Sequence, residues 1–325
     1  MSATAIPTTS TPPAVAVPGG LTMAGRVRKK LSSRTATAVA LVIAILWTVP
    51  TFGLLVSSFR PEKDIKANGW WNIFTDPAFT LKNYDDVLFG GTSRLSSARL
   101  SEYFLNSIVI TIPSVLFPLL LGALAAYALS WMSWKGRDWV FIAIFALQIV
   151  PLQMALVPLL RLFSLGLEVG GVTIVPDLNL VGAEKFATVW FAHTCFALPL
   201  CIFLLHNFMS DLPRELIEAA RVDGADHARI FRSIALPLIV PALAAFAIFQ
   251  FLWVWNDLLV ALIFAGGTQD VAPLTVKLAD LAGTRGNEWQ RLTAGAFVSM
   301  VVPLIVFISL QRYFVRGLLV GGLKG

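Results

Sequence analysis

The segment DLPRELIEAARVDGADHARIFRSIALP occupies residues 211–237 and carries five acids (Asp211, Glu215, Glu218, Asp223, Asp226) and four arginines (Arg214, Arg221, Arg229, Arg232). The apolar blocks on either side, residues 187–208 and 236–265, hold one charged residue between them, Asp257. A charged connection between two uncharged blocks of that length points to a membrane. A helix crosses a hydrocarbon core about 30 Å thick with roughly 20 mostly apolar residues.

Working outward, further blocks of that kind lie at 35–57, 104–131, 138–161 and 293–314. The reading is an all-α polytopic membrane protein with six transmembrane helices. The composition agrees. Apolar residues make up 57% of the 325 and charged residues 14%, where a soluble domain carries about a quarter charged. The net charge of +6 does not point to nucleic acid, because the basic residues sit at the ends of apolar blocks and form no stripe with exposed aromatics. The third and fourth spans are interrupted by Pro151, Pro158 and Pro199. Trp70, Trp71, Trp139, Trp190 and Trp289 fall near span ends, where amphipathic rings anchor at the interface.

Residues 1–33, rich in Thr, Pro, Ala and Ser and then basic, read as a disordered cytoplasmic tail. Residues 34–315 form the membrane domain, and 316–325 a cytoplasmic C-terminal tail. Basic residues at span ends set the orientation. Arg26 to Arg34, Lys135, Arg137, the arginines of 209–235, and Arg312, Arg316 and Lys324 share one side. Both termini and the 209–235 loop are therefore expected in the cytoplasm.

Within the loop, Asp211 is the expected N-cap and Pro213 suits a first turn. Arg214 with Glu218, and Glu218 with Arg221, have the spacing of local ion pairs. Gly224 suits a left-handed helix end, and Asp226 can cap a second short helix. The result is two short helices joined by a glycine turn. Its nearly balanced charge argues against docking on anionic lipid, which favours strongly basic faces, and suits a protein partner.

Glu218-Ala219-Ala220, three residues, Gly224, nine residues, then Ile234-Ala235-Leu236-Pro237 resembles the EAA signature of binding-protein-dependent ABC importer permeases. Ser58-Phe59-Arg60-Pro61, Gly69-Trp70-Trp71, Asn83-Tyr84, Asn106-Ser107, Val150-Pro151-Leu152-Gln153, Trp255-Asn256-Asp257 and the tail from Arg316-Gly317 to Lys324-Gly325 resemble the second permease subunit of the maltose-type carbohydrate importers.

The resemblance implies a MetI-like bundle in a bacterial inner membrane, with a cytoplasmic coupling helix that docks in a cleft of an ATPase. Glu218, Ala219, Ala220, Asp223, Gly224, Leu236 and Pro237 are the implied coupling residues. The implied partners are a second permease, two ATP-binding subunits carrying ATP and magnesium, and an extracytoplasmic sugar-binding protein. This chain contains no Gly-x-x-x-x-Gly-Lys-Ser/Thr phosphate loop, so any ATPase must be another chain.

Polar groups within spans tend to face a bundle interior or a water-filled path. Gln250, Trp253, Asn256 and Asp257 are the candidates for a translocation path, with Gln148 and Gln153 in the third span. Asn106-Ser107 reads as a helix cap. No catalytic constellation is visible, and Cys195, Cys201, His193, His206 and His227 have no metal-ligand spacing. The cysteines, six residues apart, face opposite sides of a helix and read as unbridged. A permease for amino acids, peptides or phosphate would carry a related loop, and a secondary transporter would need charge relays for which only Asp257 is available.

Overall fold

The computed structural model describes residues 34–90, 99–178, 180–281 and 288–322. The expected tail at 1–33 lies outside them. The chain divides after Gly53 into two units. The described part of the first is the opening stretch of helix α1 (Arg34–Ser58). There Thr48 Oγ1 donates back to the Ala44 carbonyl at 2.7 Å.

The described residues of the second unit form helices, connecting turns and one hairpin. After α1 come α2 (Glu62–Ala67), a 3-10 turn (Trp70–Phe74) and α3 (Lys82–Phe89). Three stretches that are separate in sequence meet here. Arg60, only 2% exposed, donates to the Gly69 carbonyl at 2.7 Å. Asn83 Nδ2 donates to the Ser58 and Arg60 carbonyls at 2.9 and 2.8 Å. Tyr84 Oη lies 2.7 Å from Ser58 Oγ.

The main bundle is α4 (Leu100–Trp131), α5 (Arg137–Ala146) with α6 (Leu152–Leu165), α7 (Phe186–Ser210), α11 (Val240–Trp255) and α14 (Trp289–Gly322). Helices α4 and α7 pack closely because Gly122 faces Cys201. A Cβ built on Gly122 would lie 2.5 Å from Cys201 Sγ. Small residues let membrane helices approach in this way. Both cysteines are free, as expected.

Among the described residues, four helices are long and apolar enough to cross a membrane, and the number rises to six if each of two bent pairs counts as one span. The bends correct the expected spans. Residues 138–161 are not one rod. The pieces Arg137–Ile149 and Leu152–Leu165 meet at 104°. Val150 takes an extended conformation (ψ 118), because a residue before proline is pushed out of the helical region. The expected 236–265 span bends by 70° at Ile239 and stops at Trp255. Residues beyond it form a separate helix, α12 (Leu259–Phe264). The last candidate span, Trp289–Gln311, agrees with the expected 293–314, but its helix continues to Gly322, so most of the expected tail at 316–325 is helical.

Two further expectations change. The stretch after α6 folds as a hairpin, β1 (Leu167–Val169) and β2 (Val172–Val175), turned by Gly170 and Gly171 at positive φ, the pattern of a two-residue hairpin loop. Asn106 and Ser107 do not cap α4, which already begins at Leu100. Asn106 Nδ2 donates to the Gln269 and Ala272 carbonyls at 3.1 and 3.0 Å. Ser107 Oγ accepts from Leu274 N at 2.8 Å. They fasten the chain leading into α13 (Leu274–Leu281) onto α4.

Candidate coupling site

The segment 211–237 folds as the two short helices expected. Helix α8 is Arg214–Val222 and α9 is His227–Ile230. A π-helical turn (Phe231–Ala235) and α10 (Leu236–Leu238) lead into α11. Asp211 does not cap α8. Its N–H bonds to the Asn207 carbonyl and closes α7, while Pro213 itself takes the N-cap position. Gly224 is left-handed (φ +80). Ala225 N reaches back to the Ala220 carbonyl at 2.9 Å, completing the glycine turn. Asp226 caps α9, accepting from Arg229 N at 2.7 Å.

Helix α8 has two unlike faces. Ile217 is 1% exposed and joins Ile230, Tyr127, Leu205, Met209 and Ala235 in one apolar cluster, with Ala220 and Leu236 against it. The other face presents Glu215, Glu218 and Ala219 to solvent, and beside them Val222 stands 87% exposed. The expected ion pairs of Glu218 with Arg214 and Arg221 do not form, since the ion pairs among the described residues lie elsewhere. Arg221 instead donates to the Trp131 carbonyl at the end of α4, 3.1 Å away. That carbonyl has no partner within its own helix.

The loop is fastened to helix ends at two further points. Trp131 Nε1 donates to the Met209 carbonyl at 3.1 Å, joining the ends of α4 and α7. Tyr127 Oη lies 3.0 Å from His227 Nδ1, and its ring meets Phe231 edge-on at 5.3 Å. Of the seven residues expected to couple, Glu218, Ala219, Asp223, Gly224 and Pro237 are exposed and Ala220 and Leu236 are partly buried. Val222, exposed one turn after Glu218 and Ala219, lies on the same face but outside the expected set.

A family model for "binding-protein-dependent transport system inner membrane component" matches residues 118–320, a range that includes this whole segment. The chain belongs to that family. Among its relatives, the osmoprotective compounds uptake permease protein GgtD of Synechocystis is 49% identical over 87% of this chain and 90% of its own. The alpha-glucoside transport system permease protein AglG of Rhizobium meliloti is 48% identical over 83% of this chain and 67% of its own. In fold, the permease resembles a crystal structure of a bacterial ABC transporter involved in alginate import, with a TM-score of 0.64 at 21% identity, covering 90% of this chain and 98% of that one.

The permease's interior polar groups divide by environment. Gln250, 2% exposed, donates to the Ser114 carbonyl of α4 at 3.3 Å. Asp257 accepts from Val260 N and Ala261 N at 3.3 and 2.9 Å, capping α12, and its carboxylate lies 3.6 Å from His193 Nε2 of α7. The Asp257 carbonyl takes a third bond, from Thr275 Oγ1 at 2.6 Å. Gln250 and Asp257 are therefore tied up by protein–protein bonds, which leaves them poor candidates for touching a moving solute. Asn256 is exposed, but its amide donates to the Leu252 carbonyl one turn back. Trp253 differs. It is 40% exposed and lines a cavity of about 660 Å³ that opens where α5 and α6 bend apart, together with Gln148, Pro151, Cys195 and Phe196. Gln153 is exposed and is not among the residues lining that cavity.

Proposed function

We propose that this chain is one permease subunit of an ATP-driven importer for a neutral glycoside of the α-glucoside or small oligosaccharide class. It forms the path with a second permease in a bacterial inner membrane, with both termini and the 211–237 segment in the cytoplasm. Two separate ATP-binding subunits dock on α8 and hold the ATP and magnesium. An extracytoplasmic binding protein delivers the sugar.

The observation that carries the coupling role is the two-faced α8. Its inner face is locked to the ends of α4 and α7, while Glu218, Ala219 and Val222 stand free for a partner. A push on α8 reaches both helices through the Arg221–Trp131 bond and the packing of Ile217 against Tyr127, Leu205 and Met209. Bends at Val150-Pro151 and Ile239 interrupt the third and fifth spans, so a rocking motion need not bend a continuous helix. The named cargo of AglG supports an α-glucoside. The named cargo of GgtD, osmoprotective compounds, supports a second reading, a compatible solute. A small neutral glycoside fits both.

The test is purification of the tagged chain with whatever it holds, followed by uptake into proteoliposomes. ATP-dependent uptake of a labelled α-glucoside, and none of an amino acid or inorganic phosphate, is expected. Uptake without an ATPase, or of the non-sugar solutes alone, would remove the reading.

A further inference from the structure

At the end of the bundle that carries α8, a pocket of about 370 Å³ opens between the last turn of α4, the first turn of α5 and the last turn of α7. Its polar lining is Ser130, Arg137, Asp138, His206, Ser210 and Arg214. Ser210 Oγ donates to Ser130 Oγ at 3.4 Å, and Ser130 Oγ to the His206 carbonyl at 3.5 Å, both long bonds that a stronger acceptor would displace. Arg214, the first residue of α8, is in no ion pair among the described residues. Arg137 is held by Asp138 at 3.1 Å, but that carboxylate is 83% exposed, so water weakens its hold.

The opposite wall is apolar. The Phe141 ring lies against the His206 ring, centroids 4.2 Å apart and tilted by 32°, and Ile142 beside it is 54% exposed. Two neighbouring tryptophans, Trp134 and Trp139, are 43% and 77% exposed. Exposed tryptophans at the end of a membrane helix mark the headgroup level of a bilayer. The pocket thus combines two guanidinium groups and two hydroxyls, which suit a phosphate anion, with an apolar lip facing the hydrocarbon.

We propose that this pocket binds the phosphate of an anionic phospholipid headgroup. The ligand chemistry is a phosphate anion. The apolar lip and the tryptophan level favour a lipid over free inorganic phosphate, which has no use for either. Because Arg214 begins α8, the bound headgroup ties the membrane surface to the coupling helix, joining α5 to α8 through its oxygens. The balanced charge of the whole 211–237 segment disfavours it as a lipid-docking face; the pocket draws only Arg214 from it, the second guanidinium coming from Arg137 at the start of α5, and the inference is independent of the cargo.

The experiment is native mass spectrometry of the full-length chain in neutral detergent, titrated in turn with phosphatidylglycerol, phosphatidylcholine and inorganic phosphate. Wild type is expected to retain one phosphatidylglycerol in preference to phosphatidylcholine. Loss of each arginine should weaken retention about fivefold, so Arg137→Gln with Arg214→Gln should weaken it roughly 25-fold. Asp138→Asn, which removes a carboxylate from the pocket lining, should strengthen retention, a gain that a misfolded variant cannot produce. Equal retention of both lipids overturns the proposal, as does unchanged binding in the double variant, or no gain in Asp138→Asn. Displacement of phosphatidylglycerol by inorganic phosphate at equal concentration overturns the lipid assignment.

Discussion

Substitution at Gly224 separates the turn's own strain from its fit to a partner. Gly224 sits at φ +80, and a Cβ built there meets nothing within 4 Å. An L-residue with a Cβ in this conformation costs about 1–2 kcal/mol, and removing glycine's freedom in the unfolded chain returns about 0.4–1 kcal/mol. Gly224→Ala should therefore destabilise by about 1 kcal/mol, and Gly224→Asn by less, since asparagine tolerates the left-handed region. Gly224→Trp pays the same backbone cost as alanine, because the space beyond the Cβ is open. Alanine and tryptophan variants should then unfold within about 1 °C of each other in detergent. They should differ against a docked ATPase, where the indole has to fit into an occupied cleft. A loss of at least about 2 kcal/mol, some 30-fold in affinity, is the scale of a disrupted hot spot. The assay is ATPase co-purification with membrane-extracted variants, alongside thermal melts. If the tryptophan variant held the ATPase as well as the alanine variant does, Gly224 would be a turn residue only, and the contact would lie elsewhere.

The remaining expectations are briefer. Asp257→Ala should cost about 1–2 kcal/mol by uncapping α12, read as a lower thermal midpoint, with Asp257→Asn losing less because one oxygen still accepts. Gly122→Ala should cost about 1–3 kcal/mol by overpacking against Cys201, and adding Cys201→Ala should restore most of it. Gln250→Leu should lower stability by about 1–3 kcal/mol, since the amide that serves the Ser114 carbonyl is lost from a dry interior, and leave the apparent KM for sugar unchanged. Trp253→Ala should do the reverse, raising KM several-fold with little change in the melt. Arg221→Met should leave the chain folded, because its side chain is exposed, yet lower uptake per ATP hydrolysed; unchanged coupling would assign the Trp131 bond to structure alone.

What was legible in the sequence was local. Pro213, Gly224 and Asp226 each act on residues within four positions, so the two short helices and their turn could be read directly. The apolar blocks were legible because bilayer thickness sets their length. The bends were half visible. Pro151 marked a break, but the 104° angle depends on how α6 packs against α7 and α12, which no local pattern encodes. Asn106 and Ser107 look like a helix cap in any reading by neighbours. Their partners lie more than 160 residues away, and the helix simply starts earlier, at Leu100. The hairpin carried a signal, the pair Gly170-Gly171 between valine-rich runs, that an expectation of helices throughout passed over.

The polar groups inside the bundle show why sequence position alone misassigns a path. Polarity in a membrane segment has two solutions, bonding to protein or facing water. Gln250, Asp257 and Trp253 lie within eight positions and look equivalent. The structure distinguishes them by what lies across from each. Ser114 offers Gln250 a carbonyl, the free N–H groups of α12 take up Asp257, and only Trp253 is left facing open volume. The same contrast explains α8. Its buried face and the Arg221 bond spend the groups that face the bundle, so the residues left over, Glu218, Ala219 and Val222, are those a second chain can reach. If the subunit passes force from a separate ATPase, as proposed, its docking surface falls to the groups the fold leaves unsatisfied.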